Sequence, residues 1–142
     1  MCGILYGDAI DLFNADRFDY LVFDFIGTEG GDIYKRLTDK YDTYDMSSNN
    51  KKVGNINTYN INNSGYGIIT SFIYTNDPSM DEYDVYKNIR KCLRQINKKF
   101  DGRRIGITKM VGTDTTPLSW THLKNIINTE LYNCDVTVII PK

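Results

Sequence analysis

The sequence predicts a three-layer α/β/α fold built on a mixed central sheet. Three observations carry that expectation. Short apolar runs of strand length alternate with stretches of helical periodicity, the pattern of a sheet covered by helices. Two of the strand-like runs are separated by a hairpin signal, which places an antiparallel pair in an otherwise parallel sheet. The chain has 142 residues with no internal repeat, so one domain spanning 1–142 is expected.

Taken in order, Gly3 to Tyr6 is a short apolar strand that ends at Gly7-Asp8. Ile10, Leu12 and Phe13 then mark a short helix, and Tyr20 to Ile26 is a strand rich in aromatic and β-branched residues. Beyond the glycine-rich Gly27-Thr28-Glu29-Gly30-Gly31, residues Ile33, Leu37 and Tyr41 recur at helical spacing. The polar stretch Asp45 to Lys52 is a loop inside the domain, because neither flank could make a large core alone. Ile56 to Ile61 alternates apolar and polar, and Tyr66 to Tyr74 is its hairpin partner across Asn62-Asn63-Ser64-Gly65.

The clearest helix follows. Ser79 and Glu82 have capping-box spacing, and Val85, Ile89, Cys92, Leu93, Ile96 and Phe100 share one face before Asp101-Gly102 ends it. Arg104 to Val111 is a strand. Thr116-Pro117 introduces an amphipathic helix carrying Trp120, Leu123, Ile126, Ile127 and Leu131, and Asp135 to Ile140 is an apolar strand expected at the centre of the sheet.

Composition narrows the function. A formal net charge of -1 gives no electrostatic footprint for a nucleic acid, so that partner is not expected. No apolar run approaches the ~20 residues that a membrane span needs. The opening residues lack a basic region followed by an apolar segment, and Gly3 stands one place too late for myristoylation. A cytoplasmic protein with no membrane partner is therefore expected. Cys2, Cys92 and Cys134 are scattered without a CxxC, which signals neither zinc nor a redox dithiol. His122 is the single histidine and reads as a helix-surface residue. No metal and no cofactor are expected. Lys87, Arg90, Lys91, Arg94 and Lys98 form a basic helix face, read as a solvated outer surface. Among the tyrosines, Tyr34, Tyr41, Tyr44, Tyr59, Tyr74 and Tyr83 are candidates for an exposed, partner-binding surface.

In layered sheets of this kind ligands bind beyond the strand carboxyl ends, which singles out three segments. Gly7-Asp8-Ala9 offers an aspartate either for capping the short helix or for recognising a ligand. Gly27 to Asp32 has the glycines and helix-start position of a phosphate cradle, yet it carries Glu29 and Asp32. At ~4 Å and an effective dielectric near 20, two like charges repel by roughly 4 kcal/mol, so carboxylates aimed at a pyrophosphate offset the helix terminus. Gly112-Thr113-Asp114-Thr115-Thr116 is a polar loop with residues suited to a ligand or to a turn and cap.

Several of these features, in their order and spacing, resemble a macrodomain. They are Gly7-Asp8, the Ser79–Phe100 helix, the run Gly102 to Lys109, Leu118-Ser119-Trp120, Ile126-Ile127 with Glu130-Leu131, and Asp135 to Val138. The resemblance covers almost the whole chain, is strongest from Asp84 to Ile140, and is nearest to short phage-type macrodomains associated with ADP-ribose 1''-phosphate processing. It implies that Asp8 contacts an adenine with help from the Ala9 amide. It also implies a degenerate site. Phe23-Asp24-Phe25-Ile26-Gly27 stands where the family carries an Asn that orients the distal ribose. Asp32 follows Gly30-Gly31 where a further glycine is expected, and Gly112 to Thr116 replaces a Gly-x-Gly run whose backbone hugs the diphosphate. The Lys of a deacylating branch falls at Ser71, and its Asp near Thr116, with Asp114 as a substitute.

The expectation is a degenerate, non-catalytic macrodomain-like protein that binds or sequesters an ADP-ribose-derived nucleotide. The ligand is held by Asp8, Ala9, Gly27, Thr28, Gly30, Gly31, Asp32, Gly112, Thr113, Asp114, Thr115 and Thr116. Two alternatives stay open. One is an active ADP-ribose 1''-phosphate phosphatase or ADP-ribosyl hydrolase using Asp8, Asp24, Asp32 or Asp114, of which Asp32 and Asp114 lead. It needs a carboxyl with a raised pKa. The other is a phage counter-defence protein that binds a host protein partner on the old scaffold.

Overall fold

The strand-like segments of the sequence pair into one six-stranded sheet. The computed structural model describes residues 3–26, 54–61, 65–74, 81–108 and 120–140, together with Arg36 and Asp39. Strands are β1 (Gly3–Tyr6), β2 (Tyr20–Ile26), β3 (Ile56–Asn60), β4 (Gly67–Tyr74), β5 (Arg104–Thr108) and β6 (Asp135–Ile140). Helices are α1 (Ala9–Asn14), α2 (Glu82–Lys99) and α3 (Trp120–Glu130). The order across the sheet is β1-β6-β5-β2-β4-β3, parallel throughout except for the β3–β4 hairpin. The mixed sheet is as the sequence predicts.

Alternation along each strand sorts its side chains between two cores. Leu21, Ile68 and Ile139 face α1 and pack with Ala9, Ile10, Phe13 and Phe18. Their chain neighbours Tyr20, Val22, Ile69 and Val138 face the other way, against Val85, Ile89, Leu93 and Ile96 of α2 and Leu123, Ile126 and Ile127 of α3. Sheet and helices thus make three layers, and every apolar position read as the inner face of α2 is buried. On the α1 side Phe18 lies directly over the backbone of β5. A Cβ at Gly106 would meet the Phe18 ring at 2.5–2.8 Å, so glycine there lets the ring close onto the sheet.

Several boundaries differ from the sequence reading. The box that starts α2 is Asp81 with Asp84: the Asp81 carboxylate accepts from Asp84 N at 2.9 Å, and Asp84 accepts from Asp81 N at 3.3 Å. This replaces the Ser79–Glu82 pair, because the same three-residue spacing recurs two residues on and the chain enters the helix there. α2 ends at Lys99 with Phe100 as its C-cap, and Gly102, with a φ of 78°, carries the left-handed turn that leads the chain away from the helix. β6 is an interior strand but not the central one: β1 pairs on its outer side, and β5 and β2 occupy the middle. The polar loop 45–52, the helical positions Ile33, Leu37 and Tyr41, residues 109–111 of the predicted strand and Thr116-Pro117 lie outside the described residues. Arg36 and Asp39 have helical backbone.

The amino ends of β2 and β5 are pinned by charge. Asp19 accepts from Arg104 N at 2.9 Å and from Arg104 Nη2 at 2.9 Å, while Asp19 N donates to Arg104 O at 2.9 Å. Arg104 also reaches Asp16 at 3.1 Å, and Arg103 lies 3.7 Å from Asp19. Burial pulls the Asp19 carboxyl upward, but the hydrogen bonds and positive charges of Arg104 and Arg103 outweigh it and hold it below its ordinary value of 3.8.

Candidate functional site

The parallel strands bring their carboxyl ends to one side of the sheet. Registers Tyr6↔Ile140, Thr108↔Ile139 and Val22↔Ile107 align the exits of β1, β5 and β2. After β2 the chain proceeds to β3 and β4 on one flank; after β5 it proceeds to β6 on the other. The reversal between these neighbouring strands is the topological switch point at which open α/β sheets form a ligand crevice. Segments 27–32 and 112–116 follow the two strands that flank the switch point. Gly27, Thr28, Gly30, Gly31, Asp32, Gly112, Thr113, Asp114, Thr115 and Thr116 themselves lie outside the described residues. Asp24 sits in β2 opposite Ser71 of β4.

Asp8 and Ala9 are described in full. Asp8 follows β1 and caps α1 with extended backbone (φ -82°, ψ 127°), its Oδ1 accepting from Asp11 N at 2.9 Å. The Arg36 guanidinium grips the same carboxylate with both arms: Nη1 donates to Oδ2 at 2.5 Å and Nη2 donates to Oδ1 at 3.0 Å. The pair is partly open to solvent, with side chains 36% (Asp8) and 40% (Arg36) exposed. The hydrogen bond from Arg36 lowers the Asp8 carboxyl below its ordinary 3.8; burial opposes it, and the Asp11 and Ile10 amides add to the lowering. Asp8 is therefore an ionised hydrogen-bond acceptor. The acid–base role entertained for it required a shift in the other direction. Ala9 is buried, its methyl facing the core under α1.

Arg36 was not singled out in the sequence. It stands 28 residues from Asp8, and no periodic or motif signal links two positions brought together only by the sheet. Its contact joins the exit of β1 to the stretch that follows β2.

The other candidate features resolve into structure. His122 is exposed on α3, its ring 4.3 Å from that of Tyr86 and its Nε2 3.4 Å from Arg90. On the basic face of α2, Arg94 pairs with Glu130 at 3.0 Å. Cys92 is buried, and Cys134 is pushed up to about 11 by burial and by the charge of Asp101, so it is a protonated, unreactive thiol. Tyr83 is exposed, whereas Tyr59 packs under α1; the side chains of Tyr34, Tyr41, Tyr44 and Tyr74 are outside the description. No group of three His, Cys, Asp or Glu able to hold a metal occurs among the described residues, and no described helix is long and apolar enough to cross a membrane. Open hollows of about 500 and 340 Å³ meet at Lys99, beside β3 and the last turn of α2. Lys98 and Lys99 there complement the negative end of the helix.

Comparison with known proteins supports the class of fold. No family model matches the chain, and no curated protein does. Among solved structures, a Bacteroides thetaiotaomicron protein superposes with a TM-score of 0.70 at 16% identity, covering 99% of both chains. The macrodomain of Thermus aquaticus DarG superposes at 0.66 and 16% identity, over 100% of this chain and 98% of the other. Thermosipho africanus DarTG, solved in complex with ADP-ribose, superposes at 0.66 and 14% identity, covering 99% of this chain and 42% of that one. The fold is that of the macrodomains. At these identities the likeness concerns architecture.

Proposed function

We propose that this chain, as one domain spanning 1–142, binds an ADP-ribose-derived nucleotide in the crevice at the strand carboxyl ends and retains it without turnover. The observation that carries the reading is Asp8: at the exit of β1, on the carboxyl side of the sheet, it presents an ionised acceptor that Arg36 and the Asp11 amide hold in place. The likeness in fold supports the ligand class, since one protein that shares it over part of its length, Thermosipho africanus DarTG, was solved in complex with ADP-ribose. Two features of the sequence support retention over hydrolysis. Segment 23–27 has no Asn to orient the distal ribose, and Gly112 to Thr116 puts threonine side chains where a glycine run would admit a diphosphate. Gly27, Thr28, Gly30, Gly31 and Asp32 complete the crevice in this reading. A phage-encoded protein of this kind would act as a sponge for a host nucleotide signal.

Isothermal calorimetry with ADP-ribose, ADP-ribose 1''-phosphate and cyclic ADP-ribose tests it, paired with chromatographic assay of the mixtures after prolonged incubation. Heat with at least one ligand and no new product is expected. Absence of heat with all of them removes the ligand, while product formation that Asp32→Ala or Asp114→Ala abolishes converts the protein to a hydrolase.

A further inference from the structure

The two hollows that meet at Lys99 lie at the amino ends of the parallel strands, across the sheet from the proposed crevice. Tyr20 opens β2, Arg103 precedes β5, and Asn60 closes the antiparallel β3. The smaller hollow, about 340 Å³, has the size of a small-ligand site, and donors dominate its wall. Lys99 Nζ donates to Thr58 Oγ1 at 3.4 Å, which uses one of the three N–H groups of an ammonium. The same charge stands 5.5 Å from the Phe100 ring, a contact that holds a cation without neutralising it. The Tyr20 hydroxyl donates to Asn60 Oδ1 at 3.2 Å, so the exposed Asn60 turns its amide N–H groups outward. Arg103 lies 5.6 Å over the Tyr20 ring and is anchored by a bond to Gly65 O.

Little in the wall opposes an anion. Asp101 is the carboxylate among the described lining residues, and it is exposed. Among the described residues no carboxylate lies within ion-pairing distance of Lys98 or Lys99. Carbonyls at the end of α2 are already bonded: Ile96 O takes the Phe100 amide, and Phe100 O takes the Arg103 amide and the Cys134 thiol. The larger hollow, about 500 Å³, adds Lys98 and the apolar flank of Ile56.

We propose that the adjoining hollows are a second binding site, for a small phosphomonoester. Its phosphate sits among Lys99, Asn60 and Arg103, and its organic part runs along Ile56 towards Lys98. A phosphomonoester presents three acceptor oxygens, enough for donors that converge from a helix, a strand end and a loop. A carboxylate has two oxygens in one plane and leaves part of the set unused. This site lies apart from the crevice and does not rest on the nucleotide reading.

Titration of the ¹⁵N-labelled full-length protein above pH 7 with phenyl phosphate, inorganic phosphate and benzoate tests it. The Thr58, Asn60, Phe100 and Arg103 amides are followed. Saturable shifts with phenyl phosphate are expected at a Kd of about 1 mM, with benzoate and inorganic phosphate each about three- to tenfold weaker. Lys99→Gln keeps the reach to Thr58 without the charge and should weaken phenyl phosphate about three- to tenfold. Lys87→Gln removes the same charge near the start of α2 and should leave binding unchanged. Shifts that never saturate, benzoate or inorganic phosphate binding as tightly as phenyl phosphate, or equal weakening by the two variants overturns the proposal. Movement of the Ala9 and Asp11 amides in place of those four puts the phosphate in the crevice; the second site then falls and the nucleotide reading stands.

Discussion

Each end of the sheet carries an aspartate gripped by an arginine, and the two pairs do different work. At the amino end, Asp19 is 18% exposed and its bonds go to Arg104, backbone and side chain, one strand away. That pair locks β2 to β5 inside the sheet. At the carboxyl end, Asp8 is twice as exposed and its partner Arg36 comes from outside the described strands. The helix cap needs one Asp8 oxygen, yet the guanidinium occupies both. A carboxylate held mostly inside the fold holds the fold together; a partly exposed one on the carboxyl side of the sheet can also hold a ligand. The enclosed pair should govern stability, and the open pair recognition.

Breaking the amino end should have the largest effect. Asp19→Ala removes the acceptor of the Arg104 amide and the carboxylate that Arg104 and Arg103 share, at an expected cost of about 2–3 kcal/mol in chemical denaturation. A cost below ~1 kcal/mol would erase the contrast between the two ends. Asp8→Ala loses the cap of a short helix and should cost about 1 kcal/mol, with a disproportionate loss of nucleotide binding.

Acid titration sharpens the same comparison. Both carboxyls sit below 3.8 in the folded protein. Their stabilisation is therefore present above that value and is lost as pH falls through the folded pKa. Asp19→Asn should flatten the fall of Tm below pH 4 more than Asp8→Asn does; equal flattening would show that the exposed pair is as tightly coupled as the enclosed one. The smallest effect belongs to Arg94→Ala. Its ion pair with Glu130 lies at the surface, and Tm should not move measurably.

How much of this was legible beforehand varies with the range of the interaction. The faces of α2 and α3 follow from i, i+3, i+4 spacing, and the β3–β4 hairpin from its turn, because neighbours in sequence there are neighbours in space. Asp81 shows where local reasoning slips: two overlapping boxes meet the same spacing, and the path of the chain into the helix selects one of them. Gly106 is readable as a glycine in a strand, but not as the place where Phe18 closes on the sheet. Of the candidate site, Asp8 was found with both its readings, cap and ligand residue, left open.

The order of apolar and polar residues along this chain settles which segments become strands and helices and which side of each is buried, since both depend on repeats of two and 3.6 residues. It does not settle that β1 lies beside β6, that β6 is one strand short of the centre, or that Arg36 takes hold of Asp8 from 28 residues away. Those outcomes depend on contacts between distant segments. Their free energy is collected only when the whole sheet assembles, so no local pattern records them.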